Sequence, residues 1–195
     1  MKKTLLLSLL LAGAPAAALL EGCIGEDDCQ VASAPRFFDV QGVALAPLRN
    51  AGNQPIAAGD TVATSELRLA LQLQVRYYGS SPARAGWLPA AYACPPSPIP
   101  GYEGTTEELD SVTVRTVYAY DAAHPAGALL NDLLVADNTG EPLPVAPPRD
   151  RQRPADLALR LQQLPALAGP QQFVLRYRLR NGELYTSRTP VFVLR

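Results

Sequence analysis

One segment of alternating residues constrains the fold of this chain more than any other. From Leu67 to Tyr77 every second residue is apolar, and the residues between them are arginine, glutamine and alanine. A β-strand points successive side chains to opposite faces, so this period of two buries one face and leaves the other in water. The sequence therefore predicts a half-buried antiparallel strand here. The residues predicted to face the core are Leu67, Leu69, Leu71, Leu73, Val75 and Tyr77.

Other segments repeat this alternation or have strand composition. Asp110 to Asp121 and Leu157 to Leu161 alternate in the same way, and Arg36 to Ala46 is rich in apolar residues, including two phenylalanines and two valines. These segments are predicted to be strands. The apolar stretch from Ala128 to Ala136 fits neither period well, and it is interpreted as either a short strand or one helical turn.

The C-terminal region has the pattern of a β-hairpin. Phe173 to Arg180 and Glu183 to Arg188 are apolar-polar alternations joined by Asn181-Gly182. Asn-Gly accepts positive φ at both positions, which favours a two-residue type I′ turn. That turn would place Arg180 opposite Glu183, Leu179 opposite Leu184 and Arg178 opposite Tyr185, with Leu179 and Leu184 on the buried face. After Pro190, the final strand is expected either to resume pairing beyond a kink or to cross to another partner.

These elements predict the fold class. Six or seven short strands with turn-rich connections and no sustained helical period indicate an all-β protein. The prediction is an antiparallel immunoglobulin-like β-sandwich of about seven strands, formed by residues 36–195.

The N-terminal residues have the layout of a secretory signal peptide. Two lysines precede an apolar run from Leu5 to Leu11, and small residues follow from Ala12 to Ala18. A helix from Leu5 to Leu20 would reach about 24 Å, short of a hydrocarbon core of about 30 Å. The segment therefore indicates export rather than a permanent membrane span.

The residues after this run resemble a known processing signal. Leu20-Glu21-Gly22-Cys23 resembles the lipobox of bacterial lipoproteins, although Glu21 stands where a small neutral residue is usual. The resemblance implies that residues 1–22 are removed, that Cys23 carries the lipid, and that residues 23–35 form an acidic tether. The alternative is cleavage after Ala16-Ala17-Ala18, which would give a freely secreted protein.

The cysteine count agrees with lipidation of Cys23. The chain has three cysteines, and an exported protein with an odd number leaves one thiol without a partner inside the chain. Using Cys23 for the lipid leaves Cys29 and Cys94, which are predicted to form a disulfide in an oxidising compartment.

Charge and residue content argue against several functions. The formal net charge is −1 and there is a single histidine, His124. A nucleic-acid partner would need a strong positive field, so none is expected. His124 is interpreted as a surface turn residue rather than a general base. The acidic group Glu107, Glu108 and Asp110 is interpreted as a solvated strand end, so no metal, cofactor or catalytic residue is predicted.

The long segment from Gly79 to Thr106 is the candidate binding region. It is rich in proline and carries Trp87, Tyr92 and Tyr102. Loops of this length inside a compact domain are usually functional or disordered, and aromatic side chains on a stiffened loop stack on sugar rings or anchor protein partners. The three aromatics are therefore candidate ligand contacts. The alternative is that Trp87 and Tyr92 cap one end of the sandwich.

A family resemblance supports the same location. With the lipobox, Glu108-Leu109-Asp110-Ser111-Val112-Thr113-Val114, His124-Pro125-Ala126-Gly127, Leu164-Pro165 and the Asn181-Gly182 hairpin, the chain resembles uncharacterised putative lipoproteins of Bacteroidetes. Glu26-Asp27-Asp28 likewise resembles the acidic tag of surface-exported lipoproteins in such bacteria, and the alternative is a solvated spacer.

We therefore expect a lipid-anchored protein of the outer membrane, facing the periplasm or the cell surface. Its domain is expected to be a non-enzymatic binding or accessory module with a glycan or an envelope protein as partner. The alternatives are an envelope structural component without a soluble ligand and a hydrolase with a carboxylate site.

Overall fold

In a computed structural model of the chain, the structure describes residues 34–80, 99–148, 152–166 and 168–195. The chain divides into two compact units. One comprises residues 1–34 and 80–100, most of which lie outside the described ranges, and the other comprises residues 35–79 and 101–195. No helix within the described ranges is long and apolar enough to cross a membrane.

The larger unit is all-β, and its strands form antiparallel, sandwich-like sheets, as predicted. The described residues of this unit form ten strands, rather than about seven, because four of them have only two or three residues. The strands are β1 (Pro35–Arg49), β2 (Thr61–Val62), β3 (Leu67–Ser80), β4 (Leu109–Thr116), β5 (Leu134–Ala136), β6 (Leu157–Leu161), β7 (Gly169–Gln171), β8 (Phe173–Leu179), β9 (Leu184–Arg188) and β10 (Phe192–Leu194). Single 3-10 turns lie at Ala51–Asn53, Thr64–Glu66 and Asn131–Leu133.

Within the described ranges, the strands form three sheets around a common hydrophobic core. Their orders are β1-β3-β6-β5, β4-β8-β9 and β2-β10-β7. Strand β10 pairs with β2 in parallel, and the pairs β10-β7, β3-β6, β4-β8, β5-β6 and β8-β9 are antiparallel. Buried side chains from every sheet belong to the same core cluster. The apolar faces predicted from alternation therefore meet one another.

The alternating segment forms β3, but its burial does not continue to the end. Leu67, Leu69 and Leu71 are buried as predicted, whereas Tyr77 is 47% exposed. Leu71 pairs with Leu157, the first residue of β6. Beyond that pair β3 extends past the strand that covers its flank. The prediction that Tyr77 faces the core is wrong for this reason.

The C-terminal hairpin has a three-residue loop, not the predicted two-residue turn. The Gly182 N–H donates to the Leu179 carbonyl at 3.1 Å, and the Leu179 N–H donates to the Glu183 carbonyl at 2.9 Å. Gly182 takes φ 95°, but Asn181 does not take a positive φ. The loop Arg180-Asn181-Gly182 is therefore a type I turn followed by a glycine bulge.

This loop shifts the register of the hairpin by one residue. Arg178 pairs with Leu184 and Tyr177 pairs with Tyr185. Leu179 is fully buried, whereas Leu184 is 54% exposed. Because a one-residue slip moves a side chain to the other face, the predicted contact between Leu179 and Leu184 and the other predicted pairs are wrong.

Pro190 marks a bulge in the same ladder. The Thr189 N–H donates to the Phe173 carbonyl at 3.0 Å, and pairing resumes with Phe192 opposite Gln171. The C-terminal segment thus has one residue more than its partner between these two pairs. Proline has no N–H to donate to a ladder, which is why it lies at the bulge. Both alternatives predicted for the last strand occur, since β10 resumes the ladder with β7 and also pairs with β2.

The segment that fitted neither period contains both predicted elements. Asn131–Leu133 is one 3-10 turn, and Leu134–Ala136 continues as β5. Leu130, Leu133 and Leu134 are buried. A turn followed directly by a strand changes the residue period within the segment. This explains why neither the helical period nor the two-residue strand period fitted the whole segment.

Side chains form hydrogen bonds with the N–H and C=O groups on the outer edge of β1, where it lies beside β9. The Val40 N–H donates to Glu107 Oε2 at 2.7 Å, and the Leu45 N–H donates to Ser187 Oγ at 2.9 Å. The Tyr185 hydroxyl donates to the Val40 carbonyl at 2.8 Å. These bonds occupy edge groups of β1 without a continuous backbone ladder.

The Asn131 side chain satisfies backbone groups at the outer edge of β4. Its Nδ2 donates to the Val112 carbonyl at 2.9 Å and the Leu143 carbonyl at 3.3 Å, and its Oδ1 accepts the Val114 N–H at 2.9 Å. The side chain is buried, and all three partners are backbone groups. One amide thus joins the outer edge of β4 to the segment that leads into β5 and to the segment that follows it.

We predict that Asn131→Ala lowers the free energy of unfolding by about 3 kcal/mol, because it leaves buried backbone groups without partners. Urea denaturation of the purified chain measures the change. Asn138→Ala is the matched control, since Asn138 is exposed, and its effect should stay within about 0.5 kcal/mol. Equal stability of the two variants would contradict this role for Asn131.

Candidate functional site

A group of aromatic side chains lies at one end of the sheet, where β1 begins and β3 ends. It also includes a residue of the turn that starts at Gly101. We call it the aromatic face, and its members are Phe37, Phe38, Tyr77, Tyr78 and Tyr102. The two phenylalanines are half-buried, while Tyr78 is 38% and Tyr102 is 51% exposed. Large aromatic side chains in such a group present apolar area and hydroxyls to solvent together.

Close packing of the backbone holds these rings. The rings of Phe37 and Tyr78 stack with centroids 5.7 Å apart and an interplanar angle of 28°. Gly101 adopts φ +76°, and a Cβ there would lie 2.9 Å from Tyr77 Cε1 and 3.1 Å from Phe38 Cδ1. Only glycine satisfies both the conformation and the space. The turn can therefore lie directly against the rings.

Charged groups border the aromatic face. Arg36 pairs with Glu103, and that hydrogen bond raises the pKa of the Arg36 guanidinium. The same guanidinium lies 5.5 Å from the centroid of the Phe37 ring. Arg76 Nη2 lies 3.1 Å from Asp39 Oδ2. The rings are thus flanked by donors and acceptors of both charges.

Of the predicted site residues, the structure describes only Tyr102. It belongs to the aromatic face. Glu103 has the largest effect in raising the pKa of Arg36, and Tyr102 adds a smaller increase. The other predicted contacts, Trp87 and Tyr92, lie outside the described residues. The lipidation site and the disulfide pair also lie outside them, so those predictions remain untested. They are Cys23, Cys29 and Cys94.

The sequence interpretation missed the rest of the aromatic face. Tyr77 was assigned to the core by alternation, and Phe37 and Phe38 were treated only as strand residues. The dipeptides Phe37-Phe38 and Tyr77-Tyr78 were the available indication. On a half-buried strand, two adjacent aromatics place one ring on each face, so one of them faces away from the core.

His124 lies in a turn as predicted, and two carboxylates hold its ring. Nδ1 lies 2.8 Å from Asp121 Oδ1, and Nε2 lies 3.0 Å from Asp132 Oδ2. Asp121 Oδ1 also accepts the His124 N–H at 2.7 Å. The His124 side chain is 13% exposed, compared with 65% for Asp132. Both ring nitrogens are therefore occupied.

These contacts shift the pKa values in opposite directions. The hydrogen bond to Asp121 raises the pKa of His124, burial opposes it, and Asp132 adds to the increase. Burial acts to raise the pKa of Asp121, but hydrogen bonds from the side chain and backbone of His124 outweigh it and lower that pKa. The arrangement favours a charged imidazolium between carboxylates, which is a structural ion pair and not a poised general base.

The acidic residues before and within β4 do not converge on one point. Glu107 accepts an N–H from β1. Glu108 Oε2 lies 2.9 Å from Arg180 Nη1, and Asp110 Oδ2 lies 3.7 Å from Arg178 Nε. In the part of the chain that the structure describes, no three His, Cys, Asp or Glu side chains are grouped to hold a metal ion.

Comparisons with protein-family models, curated proteins and solved structures give no significant match. The resemblance to putative lipoproteins therefore stays a prediction.

We predict that His124 stabilises the chain in a pH-dependent way. Because the folded pKa is raised, the stabilisation is complete below the unfolded value of about 6.5 and is lost as the pH rises through the folded pKa. His124→Ala should therefore lower the urea midpoint more at pH 5.5 than at pH 9. His124 is the only histidine, so the comparison with wild type isolates this group. An equal deficit at both pH values would contradict the prediction.

Proposed function

We propose that this protein is a lipid-anchored component of the bacterial outer membrane, attached through Cys23 and facing the periplasm or the cell surface. Its β-sandwich acts as a non-enzymatic binding or accessory module. The N-terminal layout of Lys2, Lys3, the apolar run and Gly22-Cys23 supports the anchor. Two or more acyl chains bury enough methylenes to give lasting membrane attachment.

The single observation that carries the binding role is the exposure of three tyrosines at one end of the sheet, where β1 begins and β3 ends. Tyr77, Tyr78 and Tyr102 are each more than a third exposed in the aromatic face. Isolated exposed apolar residues are ordinary, but grouped aromatic side chains are typical of interaction sites. The packing of Gly101 and the stacking of Phe37 fix this surface in advance, which lowers the ordering cost of binding.

The proposed partner class is a glycan. The apolar C–H faces of a sugar ring stack on tyrosine and phenylalanine rings, and its hydroxyls need donors and acceptors beside them. Arg36, Glu103, Arg76 and Asp39 supply both at the border of the aromatic face. The charges cancel within each pair, which suits a neutral, hydroxyl-rich ligand better than a polyanion.

A non-enzymatic role agrees with the arrangement of the titratable groups. Both nitrogens of His124 are committed to carboxylates, and Glu107, Glu108 and Asp110 have separate partners. Acid-base catalysis needs a group that is free to exchange a proton with substrate. None of these side chains meets that requirement.

We predict that Cys23 carries the acyl chains. Metabolic labelling with a fatty acid analogue should mark the wild type and leave Cys23→Ala unlabelled. The wild type should fractionate with outer membranes, and Cys23→Ala should lose that attachment. An unlabelled wild type whose mature N-terminus is Leu19 would show ordinary secretion instead.

We predict that Tyr77→Ala and Tyr102→Ala each weaken glycan binding about tenfold, equivalent to about 1.4 kcal/mol. A panel of envelope and plant oligosaccharides, followed by titration of the best binder, measures the effect. Tyr118→Ala is the matched control, because Tyr118 is also exposed, at 37%, but lies outside the aromatic face. Unchanged binding by both folded variants would remove the aromatic face from the site. Failure of the wild type to bind any glycan, with capture of an envelope protein by the same tyrosines, would favour a protein partner.

A further inference from the structure

A separate apolar cavity lies between the strands. Its volume is about 310 Å³, which is within the range of small-molecule sites. Leu109 and Val112 of β4 form one wall, and Ala136 of β5 and Leu157 of β6 form another. All four are apolar. The cavity is therefore suited to a hydrocarbon group and not to a polar ligand body.

The segment that covers the cavity is held to both walls by backbone hydrogen bonds. The Leu143 N–H donates to the Leu134 carbonyl at 2.8 Å, and the Val112 N–H donates to the Val145 carbonyl at 2.8 Å. The segment also contributes four prolines to the lining, which restrict its backbone. They are Pro142, Pro144, Pro147 and Pro148. The cavity is thus formed before a ligand enters.

Two charged side chains line the cavity, and they differ in their partners. Glu141 has an interaction partner of its own. Arg153 is exposed, and in the described ranges it has no hydrogen bond or ion pair. The backbone places Arg153 firmly, because the Gln152 carbonyl accepts the Leu109 N–H at 2.5 Å and Pro154 is buried. An unpaired guanidinium at an apolar cavity is complementary to a carboxylate on an apolar body.

We propose that this cavity binds a small aliphatic carboxylate. The chain occupies the apolar lining, and the carboxylate accepts hydrogen bonds from the Arg153 guanidinium. At about 30 Å³ for each small group, the volume holds about ten non-hydrogen atoms, the size of a medium-chain fatty acid. The site is independent of the aromatic face and does not require a glycan ligand.

Octanoate is the probe for this site. A Cys23→Ala chain without residues 1–22, which lacks both the apolar signal run and the proposed acyl chains, is titrated with octanoate by calorimetry. Octanoate should bind with one-to-one stoichiometry. Octan-1-ol should bind at least tenfold more weakly, because it cannot form the charge-assisted hydrogen bond to Arg153.

Two variants test the two halves of the proposal. Arg153→Gln should weaken octanoate binding at least tenfold and leave octan-1-ol unaffected. Arg188→Gln is its matched control, since Arg188 is exposed on β9, is not part of the cavity lining and should bind octanoate as the wild type does. Ala136→Phe fills the cavity and should abolish binding of both compounds, with circular dichroism verifying that the variant is folded.

Three results would overturn the proposal. They are no octanoate binding by the parent chain, equal binding of octanoate and octan-1-ol, and an Arg153→Gln variant that binds octanoate as tightly as the Arg188→Gln control. Tyr102→Ala in the same titration separates this site from the proposed function, because octanoate binding should be unchanged whether or not the aromatic face binds a glycan.

Discussion

The structure depends on how the backbone groups at two sheet edges are satisfied. An exposed edge presents unpaired N–H and C=O groups, which favour pairing with another chain and cost free energy when buried without a partner. On β1 these groups bond to side chains, among them Glu107, Ser187 and Tyr185. On β4 they bond to the Asn131 amide and to neighbouring segments. Both edges are thus satisfied without a strand that pairs along their whole length.

Because side chains satisfy these edge groups, polar residues occur in the core and next to it. Asn131 is buried beside leucine and valine side chains, yet its amide serves three backbone groups. Tyr185 bridges β1 and Glu183, and burial together with that carboxylate raises the pKa of its hydroxyl to about 12. A hydroxyl that stays protonated over the physiological pH range keeps its one hydrogen available to the Val40 carbonyl and to Glu183, which share it. Core stability and edge closure therefore rely on the same few residues.

Unequal strand lengths produce the surfaces that carry the functional proposals. β3 has 14 residues, whereas its neighbour β6 has five, and their pairing stops at Leu71 opposite Leu157, the first residue of β6. The remainder of β3 has β1 as its pairing neighbour, so its aromatic residues emerge beside those of β1. The cavity lined by Leu157 and Leu109 is covered by a proline-rich segment instead of another strand. Both surfaces use backbone that is already held by hydrogen bonds, which limits the entropy lost when a ligand binds.

The sequence alone determined where the longer strands lie and which side chains are buried along most of their length. Val112, Val114, Leu159 and Tyr177 are buried where alternation placed them, because the two-residue period is a local property of an extended chain. Only the tertiary structure decided the hairpin register, the exposure of Tyr77, the role of Asn131 and the cavity beside Arg153. Each of these depends on contacts between residues far apart in the chain or on where a neighbouring strand ends. Such contacts follow from the free energy of packing the whole unit, and no local period encodes them.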